Sequence, residues 1–148
     1  MKLSKTSLEK LSTCDPYLQM VIKEAIKITP VDFGVAQGWR SVDQQRQYFK
    51  EGKSKIDPDK YDPYQLTKKA KHVVNEHAKL SRAVDVFAYI PGKGASWDVE
   101  HLCVIAGVIL AVDKMHENRL RWGGNWDMDG EIISDQNFQD LPHFELIK

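Results

Sequence analysis

The stretch Ala83-Val84-Asp85-Val86-Phe87-Ala88-Tyr89 decides the fold class. Its residues are β-branched, aromatic or small, and Pro91-Gly92 and Gly94 turn the chain after it, so it reads as a strand. Asp85 is the one charge inside it. Upstream, Phe33 to Gln37 reads as a short strand ending at Gly38. Downstream come a strand at Leu120 to Trp122, a Gly123-Gly124 turn, a polar loop and a last strand at Phe144 to Leu146. Helical signals lie between the strands. Asp15-Pro16 opens a helix over about 16–28, with Leu18, Val21, Ile22, Ala25 and Ile26 on one face, and Thr29-Pro30 stops it. Ser41 caps a second helix through about Glu51, closed by Gly52. Ser96 is expected to cap a long helix from Trp97 to Asn118, carrying Leu102, Ile105, Ala106, Ile109, Leu110 and Val112. Helices packed on a small, mostly antiparallel sheet give an α+β architecture.

The 148 residues fit one domain, residues 1–148, and no repeats or low-complexity tracts appear. Apolar residues at 42% and charged residues at 28% are enough for a core and argue against disorder. Twenty-one basic and 21 acidic side chains cancel, which argues against nucleic acid as the partner, although balanced totals can hide a local patch. Residues 52–76 read as a long surface loop with a short helix at Tyr64 to Ala70. Its lysines, at 53, 55, 60, 68, 69 and 71, either face an anionic surface or are simply solvated, the second being the plainer reading. Cys14 and Cys103 each lie in an apolar-periodic stretch and read as helical core packing. The N-terminus lacks the apolar region of a secretory signal, and no run nears the ~20 apolar residues of a membrane span. Membrane insertion is therefore not expected.

Three features carry chemistry. His77 is followed eight residues later by Asp85, a carboxylate whose place in an apolar strand is costly unless it is paired or binds metal. In Asp140-Leu141-Pro142-His143-Phe144-Glu145-Leu146, a histidine opens the terminal strand with an aspartate three residues before it. Two histidines and a carboxylate form a known catalytic zinc set that leaves room for water. Arg40 follows Gly38-Trp39 at a strand end. Taken singly, each has a structural reading as well: a hydrogen-bonded pair, a chance Asp-x-x-His, a solvated arginine.

Taken in order, they resemble one family. Gly38-Trp39-Arg40-Ser41 with Gln44-Gln45, then Asn75-Glu76-His77, Ala83-Val84-Asp85, Trp122-Gly123-Gly124-Asn125-Trp126 and finally Asp140 to Glu145 are similar to the motifs of the peptidoglycan-cleaving zinc peptidases. These are the D-Ala-D-Ala carboxypeptidases and L-alanyl-D-glutamate endopeptidases, compact phage endolysins above all. The resemblance spans about residues 30–146. It implies zinc in a cleft on the sheet, held by His77, Asp85 and His143, with Asp140 as general base. Arg40 would hold a substrate carboxylate or steady the oxyanion, and Glu145 would orient a ligand. The chain departs from the pattern in three places. The His–Asp step is eight residues rather than seven, with Ser81 near a usual glycine. Asn75 stands for serine and Asn125 for aspartate. An extra residue can loop out while ligands keep their places, so His77 is the nearest candidate and His72, thirteen residues before Asp85, the second.

The expected function is cleavage of the peptidoglycan stem peptide at L-Ala-D-Glu by a phage endolysin. Small size, the absent signal and the closing Asp-x-x-His favour it over the runner-up, a D-Ala-D-Ala carboxypeptidase. A zinc-stabilised cell-wall-binding module without turnover is the third reading, and Asp140 argues against it. No separate cell-wall-binding domain is visible. The enzyme is expected to be a monomer made in the host cytoplasm, reaching the wall through a holin-like release route. Asn125, Asp127 and Asp129, with Gly130 at the sixth position, copy the start of a calcium loop, though Gln136 replaces the usual closing glutamate. A plain polar turn on Asp129-Gly130 is the alternative.

Overall fold

Alternation along the central strand sorts the molecule into two faces. In the computed structural model, which describes residues 1–148, that strand is β2, Ala83–Ile90. Around it lie α1 (Lys5–Leu11), α2 (Pro16–Ile28), β1 (Phe33–Gln37), α3 (Val42–Lys50), a 3-10 turn (Pro58–Lys60), α4 (Pro63–Lys69), β3 (Gly94–Ser96), α5 (Val99–Met115), β4 (Leu120–Gly123) and β5 (Asp140–Leu146). The sheet runs β1-β2-β5-β4 with β3 added on β2, and every pairing is antiparallel. The expected α+β fold with a mostly antiparallel sheet is the one observed.

Val84, Val86 and Ala88 point to one side and are buried with Phe144 and Leu146 against α2 and α5. Leu18, Val21, Ile22, Ala25 and Ile26 supply the α2 stripe; Leu102, Ile105, Ala106, Ile109 and Val112 supply that of α5. Asp113, 1% exposed, ties this layer to the sheet edge. It accepts the Tyr17 hydroxyl at 2.6 Å and the amides of Arg119 and Leu120 at 2.8 and 3.1 Å, which makes its burial tolerable. Asp85 faces the opposite side, which no helix layer covers in this way. No helix is long and apolar enough to cross a membrane.

Several boundaries differ from the sequence reading. The α1 helix was not anticipated, because its only inward residues are Ser7 and Leu11 and the period is too short to show. Ser96 caps no helix: it pairs in β3 with Ala88, and α5 starts after Asp98. That helix ends at Met115, and Asn118 takes a left-handed turn at φ 55°. β5 begins at Asp140 rather than Phe144, since ladder pairing to Gly123 extends it past Pro142. Cys14 lies in the turn after α1, not in a helix, and Cys103 is only partly buried; both are free thiols.

Candidate active site

Strand register builds the site. Asp85 on β2 stands directly opposite His143 on β5, and Gln37 on β1 stands opposite Asp85. One step along, Ala83, Glu145 and Arg121 form a parallel row. With a side-chain period of two, both rows project from the face away from the helices. A register shift between Val35 and Gln37 is needed for this, because it lets Val35 stay in the core while Gln37 reaches the cleft.

The second histidine of the set is not the one the spacing suggested. His72, 3% exposed, brings Nε2 to 3.1 Å from Asp85 Oδ1, and His143 Nδ1 meets the same oxygen at 3.1 Å. The candidate donor atoms of His72, Asp85 and His143 all lie within 4.8 Å of one another. His77 is a correction: it is exposed on the outer turn of the same α4–β2 connection, edge-on to Tyr64 at 5.7 Å and 3.5 Å from Glu76. The physical reason is the path of residues 74–81. Asn75 and Ala78 exchange backbone hydrogen bonds, closing a small turn that carries His77 outward. His72, by contrast, is pinned from both sides. Arg40 N–H donates to its carbonyl at 2.8 Å and Val74 N–H to the Arg40 carbonyl at 3.1 Å, while Val73 is buried beside Leu66 and Ala70. A histidine flanked by Ala70 and Val73, both fated for a small apolar cluster, was the available sequence signal.

The hydrogen bonds around the rings show what belongs between them. His72 Nδ1 donates to the Gly38 carbonyl at 2.6 Å, so the neutral ring presents a bare Nε2 to Asp85. His143 Nε2 donates to Glu145 Oε1 at 2.9 Å, and Glu145 Oε2 accepts from Arg121 at 2.8 Å. Each imidazole thus has acceptors on both sides, and either a proton or a cation must sit at Asp85. Without a metal, burial works against charge on His143, but Asp85 and Glu145 outweigh it and push the imidazole up to about 10. Burial likewise opposes the Asp85 charge, yet His72 and His143 hold that carboxyl well below its usual range. Two imidazoles and a carboxylate, with each histidine's remote nitrogen fixed by an oxygen, fit a divalent zinc ion. Gly38 is essential here: a Cβ on it would lie 2.2 Å from Thr13 Oγ1 and 2.4 Å from the Lys10 carbonyl.

Asp140 begins β5 with Oδ2 3.9 Å from His143 Nδ1. Its carboxyl is pushed up by burial and by Asp85, against the pull of His143, His72 and Arg40. Gly123 lets it come this close, since a Cβ there would sit 2.0 Å from the Asp140 carbonyl. Arg40 donates Nη1 to Gln45 at 2.7 Å and Nη2 to Gln37 at 2.6 Å, and its guanidinium lies 4.6 Å over the Tyr48 ring. Gln45 is fully buried and held in turn by Ser54 and the Ile56 carbonyl. Neutral amides therefore aim the arginine without cancelling its charge. His72, Asp85, His143, Asp140 and Arg40 share one cleft of about 720 Å³, walled on one side by Trp126 and Phe138. Gln37 and Arg121 were missed by the sequence reading, because only strand register reveals them, and Gln45 was noted there as part of a motif without its role.

The expected calcium loop forms a separate, exposed cluster in which Asp127, Asp129 and Asp135 bring carboxylate oxygens within 4.8 Å of one another. Asn125 Oδ1 is buried and unpartnered. Gln136, at the closing position, instead accepts from Trp126 N–H at 3.1 Å and donates to the Gly123 carbonyl at 3.0 Å.

Comparison with known proteins identifies the family and the fold. The family described as phage L-alanyl-D-glutamate peptidase matches residues 1–147. The L-alanyl-D-glutamate peptidase of Escherichia phage T5 is 30% identical over 149 residues, covering 99% of this chain and 98% of that protein. The crystal structure of the Serratia marcescens L-Ala D-Glu endopeptidase ChiX superposes with a TM-score of 0.71 at 27% identity, over 99% of this chain and 90% of the other.

Proposed function

Because the chain belongs to the phage L-alanyl-D-glutamate peptidase family, we propose that it is a zinc peptidase that cuts the L-Ala-D-Glu bond of the peptidoglycan stem peptide as a phage endolysin. Convergence of His72, Asp85 and His143 beside Asp140 in an open cleft carries the reading. His72, Asp85 and His143 would hold the zinc, which when bound would supply a Lewis acid for the scissile carbonyl and acidify the attacking water. Asp140, its proton affinity raised by burial, takes the proton from that water and returns it to the departing amine of D-glutamate. Arg40, steadied by Gln37 and Gln45, presents a permanent cation to the developing oxyanion or a substrate carboxylate. Glu145 and Arg121 keep the His143 ring in one orientation. In host lysis the enzyme would be made in the cytoplasm and pass to the wall by a holin-like route.

The test is digestion of purified peptidoglycan followed by mass spectrometry of the fragments. New L-Ala C-termini and D-Glu N-termini, with about one zinc per chain and loss of both metal and cleavage on strong chelation, are expected. Release of free D-Ala instead would point to the carboxypeptidase reading.

Calcium at Asn125, Asp127, Asp129 and Asp135 is the second metal we infer. Like-charged oxygens this close repel one another, and an oxygen-seeking cation offsets that cost. Calorimetry on the zinc-loaded protein should show calcium binding that is lost in Asp127→Asn/Asp129→Asn; no heat in the parent would return the loop to an ordinary turn.

A further inference from the structure

The formal charge of the whole chain is zero, yet its cleft is strongly cationic. Lys53, Lys55, Lys68, Lys69 and Lys71 line it together with Arg40 and Arg121, whereas its only acids are Asp85, Asp140 and Glu145. Those acids do not neutralise the lysines. Asp85 is taken by His72 and His143, and Glu145 by His143 and Arg121. Of the five lysines only Lys53 has a carboxylate partner, Glu51 at 3.0 Å on the outer surface. Lys55 instead lies over the Phe138 ring at 4.6 Å and Lys68 over Tyr64 at 4.3 Å. Lys71 is half-buried, and Lys68 and Lys69 stand at the end of α4, just ahead of His72. Seven of 21 basic side chains thus face the place where substrate must lie, against three of 21 acidic ones. Such focusing within a low-dielectric wall selects for negative charge.

We propose that this lysine wall binds the free carboxylates of the stem peptide on its leaving-amine side, so that the enzyme prefers stem peptides whose D-glutamate α-carboxylate is free over those in which it is amidated. The proposal rests on the L-Ala-D-Glu reading above. In that peptide D-glutamate continues the chain through its γ-carboxyl, leaving the α-carboxylate one carbon from the amine that departs. Amidation removes the charge and turns two acceptor oxygens into one acceptor and one donor group, which an ammonium cannot satisfy. Lysines suit the task because a compact charge on a flexible stem follows a carboxylate whose position varies in a cross-linked polymer. A charged hydrogen bond of this kind separates the two peptides by about ten- to a hundredfold in affinity.

The experiment uses two synthetic stem peptides that differ only in carboxylate or carboxamide at the D-glutamate α position. Their dissociation constants are measured by calorimetry on the full-length metal-free protein, where no turnover occurs, and on Lys68→Met/Lys69→Met/Lys71→Met. Lys68→Met/Lys69→Met, with both side chains exposed, serves if the triple variant does not fold. The parent is expected to bind the acid at least tenfold more tightly, with the preference eroded by salt. The variant should weaken acid binding more than amide binding, so that the preference between the two peptides shrinks. Equal affinities in the parent, or a preference that survives in the lysine variants, would overturn the proposal. Cleavage of the same pair by the zinc-loaded parent decides the bond separately: failure to cut the acid peptide between L-Ala and D-Glu sinks the bond assignment, while the binding data still decide the wall.

Discussion

Glu145→Gln tests the orientation of the proposed metal site without touching one of its proposed ligands. Glu145 is 6% exposed and satisfies two donors, His143 Nε2 at 2.9 Å and Arg121 Nη2 at 2.8 Å. Its carboxyl is opposed by burial but held down to about 2 by His143 and then Arg121, so it is ionised at neutral pH. Glutamine keeps the shape but offers one acceptor and one donor, so an N–H group must face either the imidazole N–H or the guanidinium. His143 then loses the acceptor that fixes its tautomer, or Arg121 loses its partner. Loss of such an outer support costs about 10- to 100-fold in metal affinity, or about 1.4 to 2.7 kcal/mol at 1.36 kcal/mol per decade. Competition with a chromophoric chelator reads this directly. Arg121→Met is the control, because it leaves the His143–Glu145 bond in place and should cost less. A Glu145→Gln protein whose zinc dissociation constant stays within twofold of the parent would refute the reasoning.

His72→Ala should lose zinc and peptidoglycan cleavage together, whereas His77→Ala, altering an exposed side chain on the outer turn of the same connection, should keep both; metal analysis and a turbidity assay decide between them. Asp140→Asn should retain zinc and fold while cleavage falls at least ~10²-fold; loss of zinc would make Asp140 a ligand rather than a base. In the metal-free protein the folded His143 pKa of about 10 exceeds its unfolded value of 6.5. Its contribution to stability is therefore complete below pH 6.5 and lost as pH rises through 10. Urea midpoints of the metal-free protein should fall between pH 7 and 10, and a midpoint flat over that range in the parent, or a fall unchanged in His143→Ala, would contradict the ion-pair geometry.

Local rules made much of this protein legible. The β2 strand follows from Val84, Val86 and Phe87 between turn residues, α2 from the Asp15 cap and the apolar stripe behind it, and α3 from the Ser41 cap. Asp85, His143, Asp140 and Arg40 stood out because a charge in an apolar strand, or a motif in a fixed order, is visible in one dimension. The identity of the remaining histidine was not. Between His72 and Asp85 the chain spends residues on the Asn75–Ala78 turn, and the length of a loop does not say which of its residues is returned to the sheet. Register decided the rest: it set His143 opposite Asp85 and placed Gln37 and Arg121 on the same face, and α3 brought the buried Gln45 to Arg40. The lysines of residues 52–76 were visible as a group, but whether they face a cleft or bulk solvent was not, since a count of charges contains no information about direction. Sequence periodicity determines which elements form and which faces are apolar. Only tertiary pairing decides which distant side chains converge, because convergence depends on the path of the loops between them.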